Sequence, residues 1–222
     1  MTKKSIGVLT IGQSPRVDIT PSIQHVLGKT VEIVEVGGLD RIREEDLYSI
    51  TPDKGEVTYI SKLRNGQSIK MGKSKLLPLL QAELNELEER VSVVIMLCTG
   101  DFPTIRSNRP MIYPDKIVSN IVQSLLRTGK LGLVVPLEEQ RNTLIQKWKL
   151  KGVEYCVEVA SPYENSDISG AAKKLKNQGA ELIVLDCMGY DETHKKAAIE
   201  GSGLPILLPR TLIARIVAEY VG

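Results

Sequence analysis

The sequence predicts an α/β protein with parallel sheets, divided into two similar lobes. Three observations predict it. Short Val/Ile/Leu-rich runs alternate with amphipathic stretches along almost the whole chain, several of these runs are continuous rather than alternating, and the second half repeats the pattern of the first. Strand–helix alternation implies βαβ units, and unbroken apolar runs suit strands buried on both faces. The 222 residues are enough for one large domain or two small ones.

The strands are expected at SIGVLTI (5–11), VEIVEVG (31–37), SVVIMLC (92–98), LGLVVP (131–136), EYCVEVA (154–160), ELIVLDC (181–187) and PILLP (205–209). Helices follow from apolar residues three and four apart. In 167–179, Ile168, Ala171, Ala172 and Leu175 share a face, with Asp167 as N-cap and Gly179 as the stop. Leu80, Leu84, Leu87 and Val91 mark a second helix over 79–91. Ile117, Ile121 and Leu125 mark a third over 114–127, and Leu212, Ile213, Ile216 and Val217 mark one near the end.

One segment departs from the alternation. Residues 56–72 hold two strand-like runs around Asn65-Gly66, the signal of a tight type I′ hairpin, in which both central residues take positive φ. With the polar stretch before it, the excursion covers about 39–75 and suits a lid or a partner surface.

The repeat has numerical support. Residues 84–100 align with 172–189 by their cysteines, and 5–16 align with 130–141. Gly7 precedes Cys98 by 91 positions and Gly132 precedes Cys187 by 55. The difference, 36, is about the length of the excursion. The expected lobes are 1–100 completed by 205–222, and 101–204, related by a pseudo-twofold.

Composition excludes several classes of function. A net charge of +2, with 29 basic and 27 acidic residues well mixed, gives no footprint for nucleic acid. No apolar stretch approaches the ~20 residues that span a bilayer, and the start lacks the apolar core of a signal peptide, so a cytoplasmic location is expected. Three cysteines without a CxxC pair argue against a disulfide framework or zinc cluster. Two histidines 169 positions apart argue against a histidine metal site.

Cys98 and Cys187 end equivalent strands, on the edge where open parallel sheets bind ligands. The amides of Thr99-Gly100 and Met188-Gly189, at or near helix N-termini, are suited to an anionic oxygen, and the same setting lowers a thiol's pKa. Two sulfurs across a shared cleft between the lobes would remove a proton from one face of a carbon and return one on the other. That chemistry needs a carboxylate to spread the charge and no metal or other cofactor. Cys156, inside its strand, is assigned to the core.

Arg16 is placed to fork a carboxylate or phosphate, or else to pair with Asp18 or lie exposed to solvent. Ser14 either serves the same anion or caps a helix; Asp101 is read as an N-cap, His194 as surface and Trp148 as a helix residue packed on its sheet.

The stretches LTIGQSPR, VVPLEEQ, QKW, LDCMGYDETH and LIARIVAEY, with the hairpin region, resemble the AroM family over essentially the full length. The cysteine-ended strands are similar to those of the wider aspartate/glutamate racemase superfamily. The resemblance implies two Rossmann-like lobes, Cys98 and Cys187 as catalytic thiols, and Thr99 holding a substrate carboxylate. It further implies substrate-binding loops at Gly12, Gln13, Ser14 and Arg16 and at Pro136, Leu137 and Glu138. Met188 stands where acidic-amino-acid racemases commonly carry threonine, and the hairpin has no counterpart in simple racemases. Both departures point away from ordinary aspartate or glutamate racemase activity.

The expected function is a cofactor-independent racemase or isomerase of a small carboxylate-bearing molecule, or a related lyase. The alternatives are a non-catalytic small-acid sensor on the same scaffold and an accessory protein acting through the hairpin. Neither nucleic acid nor membrane is an expected partner, and the sequence is compatible with a homo-oligomer.

Overall fold

The computed structural model describes residues 4–148 and 150–222, the side chains of residues 144–146 excepted. It forms two compact units, one running to Pro114 and including Ala214–Gly222, the other comprising Asp115–Ile213.

The first unit contains β1 (Lys4–Thr10), α1 (Thr20–Leu27), β2 (Val31–Gly37), a 3-10 segment (Glu44–Ile50), the strands β3 (Thr58–Lys62) and β4 (Ser68–Gly72), α2 (Lys73–Leu87), β5 (Val94–Leu97) and β6 (Met111–Ile112). Its parallel sheet has the order β2-β1-β5-β6, and β3-β4 forms a separate antiparallel pair. The remaining elements are α3 (Pro114–Leu125), β7 (Gly129–Val135), α4 (Gln140–Lys147), β8 (Val153–Val159), α5 (Ile168–Asn177), β9 (Leu182–Leu185), α6 (Glu192–Ser202), β10 (Ile206–Leu207) and α7 (Pro209–Val221). The second parallel sheet has the order β10-β9-β7-β8.

The two sheets are the same sheet in different sequence. Exchanging β1, β2, β5, β6 for β7, β8, β9, β10 converts one order into the other. The register agrees as well: Gly7 lies beside Val94, four residues before Cys98, and Gly132 lies beside Ile183, four residues before Cys187. Each glycine makes room for a helix. A Cβ on Gly7 would stand 2.9 Å from Leu87, and one on Gly132 would stand 3.1 Å from Ala180 and 3.2 Å from Leu175.

Period-two alternation sorts the second unit's core onto two sheet faces. Leu131, Leu133 and Val135 of β7 pack with Val184 and Trp148, whereas Val134 packs with Ile183, Leu185, Ala172 and Leu175. Helix α5 buries the four expected residues, Asp167 accepts a hydrogen bond from the Gly170 amide (2.7 Å), and Gly179 takes φ +92° just beyond it. In the first unit, Leu80, Leu84, Leu87 and Val91 are all buried, with Leu9, Val94 and Met96 among their cluster.

Several expectations need correction. The stripe on α3 is rotated by one residue: Val118, Val122 and Leu126 are buried against β7, while Leu125 is 63% exposed and Ile117 and Ile121 are only half-buried. Both stripes have helical spacing, so periodicity alone could not choose between them. Strand β6, only two residues long, is not among the expected strands. Helix α2 starts six residues earlier than expected and runs through Pro78, its sixth residue.

The hairpin forms around Asn65-Gly66, but its turn is not type I′. Only Gly66 has positive φ (+85°), the Gly66 amide donates to Leu63 O (3.0 Å), and residues 64–66 make a three-residue loop. Asn65 avoids positive φ because its side-chain oxygen accepts from the Gln67 amide at 2.9 Å, holding the bend with ordinary backbone angles. Among the described residues, no helix is long and apolar enough to cross a membrane.

Candidate active site

The strand orders fix where each unit can bind a ligand. From β1 the chain winds outward to β2, then returns to β5 on the other side of β1; β7, β8 and β9 do the same. The crevice at such a switch point lies beyond the carboxyl ends of the two central strands. In the first unit those ends lead into residues 11–16 and into Cys98. In the second they lead into residues 136–141 and into Cys187.

Both sulfurs have the same local partner. The Gly100 amide donates to Cys98 Sγ at 3.3 Å, and the Gly189 amide donates to Cys187 Sγ at 3.4 Å. These amides thus serve the sulfur of their own loop. Each glycine also lies under a tyrosine. A Cβ on Gly100 would come within 2.5 Å of the Tyr59 ring, and one on Gly189 within 2.6 Å of the Tyr163 hydroxyl.

Other features differ between the loops. Cys98 is 9% exposed and packs with Met96, Tyr59 and Phe102, while Cys187 is partly exposed. No helix directly follows Cys98: residues 98–110 are irregular until β6, so Asp101 is not a helix N-cap and the expected helix N-terminus does not form there. Cys187 does precede one. Asp191 caps α6 by accepting from the amides of Thr193 (2.9 Å) and His194 (3.1 Å), and the His194 side chain completes a capping box. Burial alone would raise the Asp191 carboxyl, but the His194 amide and ring hold it below the ordinary carboxylate range.

The loop after β1 is held by the hairpin. Ser14 gives both its amide (2.8 Å) and its hydroxyl (2.6 Å) to Asp40 rather than capping α1. Arg64, from the hairpin turn, donates to Ser14 O (2.6 Å) and to Asp40 (2.7 Å), and the amides of Gln13 and Arg64 complete the clamp through Lys62 O and the Gln13 side chain. Arg16 is 3% exposed. Its guanidinium forks onto Asp18 with two bonds of 2.8 Å and also donates to Thr10 (3.2 Å) and Ser61 (2.9 Å). Burial would raise the Asp18 carboxyl; the hydrogen bonds and charge of Arg16 outweigh it and lower the pKa.

The hairpin is therefore a wall of this loop. Thr58, Tyr59, Ile60 and Ser61 are buried, and Tyr59 donates to Asp101 O at 3.3 Å. Gly12 permits the approach: a Cβ there would lie 2.4 Å from Ser61 Oγ and 2.6 Å from the carbonyl of Lys62. Gly12→Ala is expected to destabilise the first unit by about 1–3 kcal/mol, because a backbone carbonyl cannot step aside as a side chain can. Urea unfolding followed by circular dichroism checks this, and an unchanged midpoint would mean that the hairpin is held elsewhere.

In the second unit, Pro136 and Leu137 are buried and Glu138 is exposed, paired with Arg141 at 2.7 Å. Arg141 aligns with Arg16 but faces Val157 O and Glu138 instead. Cys156 is core, as expected. Its sulfur approaches the carbonyls of Leu131 (3.8 Å) and Leu175 (3.9 Å), and burial pushes its thiol pKa up.

Four residues near Cys187 carried no sequence expectation of a site role or a different one. Arg210, 4% exposed, donates to the carbonyls of Met188 (3.0 Å) and Gly189 (2.8 Å) and so fixes the loop that offers its amide to sulfur. The signal was a lone arginine inside the apolar run LLPRTLI. Lys147 binds both carboxylate oxygens of Asp186 at 2.8 Å, and Trp148 Nε1 donates to one of them at 2.8 Å. Trp148 packs against its sheet as expected but lies just beyond α4. Tyr163 places its hydroxyl 3.8 Å from Cys187 Sγ. Among the described residues, no group of three or more His, Cys, Asp and Glu side chains is arranged to hold a metal ion.

The family model described as AroM protein matches residues 6–221. No curated protein matches the chain. Among solved structures, the chain is similar to Picrophilus torridus aspartate racemase, with a TM-score of 0.58 and 11% identity, covering 99% of this chain and 94% of that one. It is also similar to glutamate racemase isoform RacE1 from Bacillus anthracis, with a TM-score of 0.60 and 14% identity over 100% and 82% of the two chains. For the maleate isomerase Iso from Pseudomonas putida S16 the TM-score is 0.57 and the identity 13%, over 98% and 93%. At these identities the likeness is one of fold.

Proposed function

The chain belongs to the AroM protein family, and on that premise we propose that it is a cofactor-independent racemase or isomerase of a small carboxylate-bearing molecule, with Cys98 and Cys187 as its two acid/base groups. The observation that carries this reading is the duplicated sulfur site. Two cysteines in matching register end internal strands of two like sheets, and each sulfur accepts a hydrogen bond from the amide two residues on.

In the proposed reaction one sulfur, as thiolate, removes the proton from the carbon beside the carboxylate and becomes a thiol. The electron pair left on carbon delocalises into the carboxylate. The other sulfur, as thiol, delivers its proton to the opposite face and is left as thiolate, so the product has the inverted centre and no redox partner is needed. The amide donors support this cycle by stabilising sulfur whenever it carries the charge. Proton transfer between carbon and sulfur also profits from surroundings poor in water, and the apolar neighbours of Cys98 supply them.

The test is exchange. Candidate amino acids, hydroxy acids and unsaturated diacids are incubated with the protein in heavy water and followed by proton NMR and chiral chromatography. Deuterium entering at the carbon beside the carboxylate, with inversion or isomerisation, is the expected result. The second reading, a small-acid sensor, is favoured by the commitment of Arg16 to Asp18 and by the 9% exposure of Cys98. Saturable binding without exchange across the panel would establish it instead.

A further inference from the structure

We propose that Tyr163 is a positioning residue for Cys187: its phenol donates to the sulfur and, with the Gly189 amide, keeps that cysteine as the resident thiolate of the pair. The role in turnover rests on the two-cysteine reading above; the effect on the sulfur does not.

Two polar groups converge on one atom. Tyr163 Oη lies 3.8 Å from Cys187 Sγ and the Gly189 nitrogen lies 3.4 Å from it. The phenol is held there from two sides. Its residue's amide donates to Ser161 Oγ at 3.2 Å, and its ring rests on Gly189, where any Cβ would meet the hydroxyl at 2.6 Å. A glycine two residues after the cysteine thus serves two ends, giving its amide to the sulfur and leaving room for the phenol. The two tyrosines are not equivalent: Tyr59 comes from the hairpin and gives its hydroxyl to Asp101 O, while Tyr163 follows β8 and reaches the sulfur.

The surrounding charges leave this role to Tyr163. Asp186, the residue before Cys187, is bound by Lys147 and Trp148. Tyr190 is fully buried and gives its hydroxyl to Ala160 O at 2.6 Å, and its ionisation is pushed far up, first by burial and then by the charges of Cys187, Asp186 and Tyr163. Asp191 is engaged by His194 and the start of α6. Arg210 brings a positive charge to the carbonyls of Met188 and Gly189. The Tyr163 phenol faces the sulfur directly. A hydrogen bond to the charged form lowers the pKa of its acceptor.

The experiment is alkylation of the intact chain with iodoacetamide across a pH series, each cysteine being followed by peptide mass spectrometry. With Tyr163→Phe the midpoint for Cys187 is expected to rise by about one pH unit, slowing its alkylation roughly tenfold at pH values below both midpoints, while Cys98 and Cys156 keep their profiles. Gly189→Ala, which drives the phenol off the sulfur, is expected to shift Cys187 the same way. Unshifted or lowered Cys187 midpoints in both folded variants would overturn the proposal. Alkylation requires no turnover, so a shifted midpoint in a protein without isotope exchange would keep this inference and remove the racemase reading.

Discussion

Replacing either Cys98 or Cys187 by alanine is expected to slow interconversion of the substrate's two forms by about 10²–10⁴-fold, the usual contribution of one positioned proton-transfer group. The two losses should not be additive, since a two-base cycle stops when either member is missing. Isotope exchange should separate the pair further. With one thiol gone, the remaining sulfur can still remove and return a proton on its own face, so solvent deuterium enters one enantiomer without inversion. Cys98→Ala and Cys187→Ala would then wash deuterium into opposite enantiomers. Chiral separation followed by mass spectrometry reads this directly. Equal racemisation by wild type and either variant would remove that cysteine from the mechanism, and Cys156→Ala, a core change away from both loops, controls for thiol chemistry in general.

Asp186→Ala carries the largest expected effect on stability. The carboxylate is bound by Lys147 and Trp148, and the side-chain exposures of Lys147 and Asp186 are 8% and 1%. Removing the acid leaves a buried ammonium with its nearest counter-charge gone, a change that costs about 3–5 kcal/mol in comparable pairs. The double change Lys147→Met with Asp186→Leu should recover much of that loss, because the pair's desolvation cost disappears along with its attraction. Trp148 is the chain's single tryptophan. Its fluorescence in a urea series therefore reports the unit in which the pair sits. A midpoint unchanged by Asp186→Ala would show that Lys147 finds water or another acceptor.

The ion pair shows why parts of the site were not legible in the sequence. Asp186 and Lys147 are separated by 39 positions, and nothing in either local pattern names the other. The neighbouring Asp18 is a partner that the sequence offers Arg16, but only the fold brings Thr10 and Ser61 to its guanidinium. Serine before a helix commonly caps it, but Asp40, brought beside Ser14 by the turn after β2, offers a charged acceptor and wins. The hairpin was visible in Asn65-Gly66. Its role was not, because a lid and a wall have the same strand pattern and differ only in what their inner residues meet.

What the sequence determined by itself was everything carried by short-range period and by repetition: the α/β class, the strands that end in Cys98 and Cys187, the caps of α5, and the correspondence of the two halves. These follow from patterns of burial and backbone preference that each segment bears alone. Tertiary structure decided which of two equally periodic stripes on α3 is buried, which partner each buried charge takes, and that a tyrosine lies over each Cys-x-Gly. Those outcomes depend on which distant groups fold into hydrogen-bonding range, where desolvation makes every unpaired charge costly and so selects the partner.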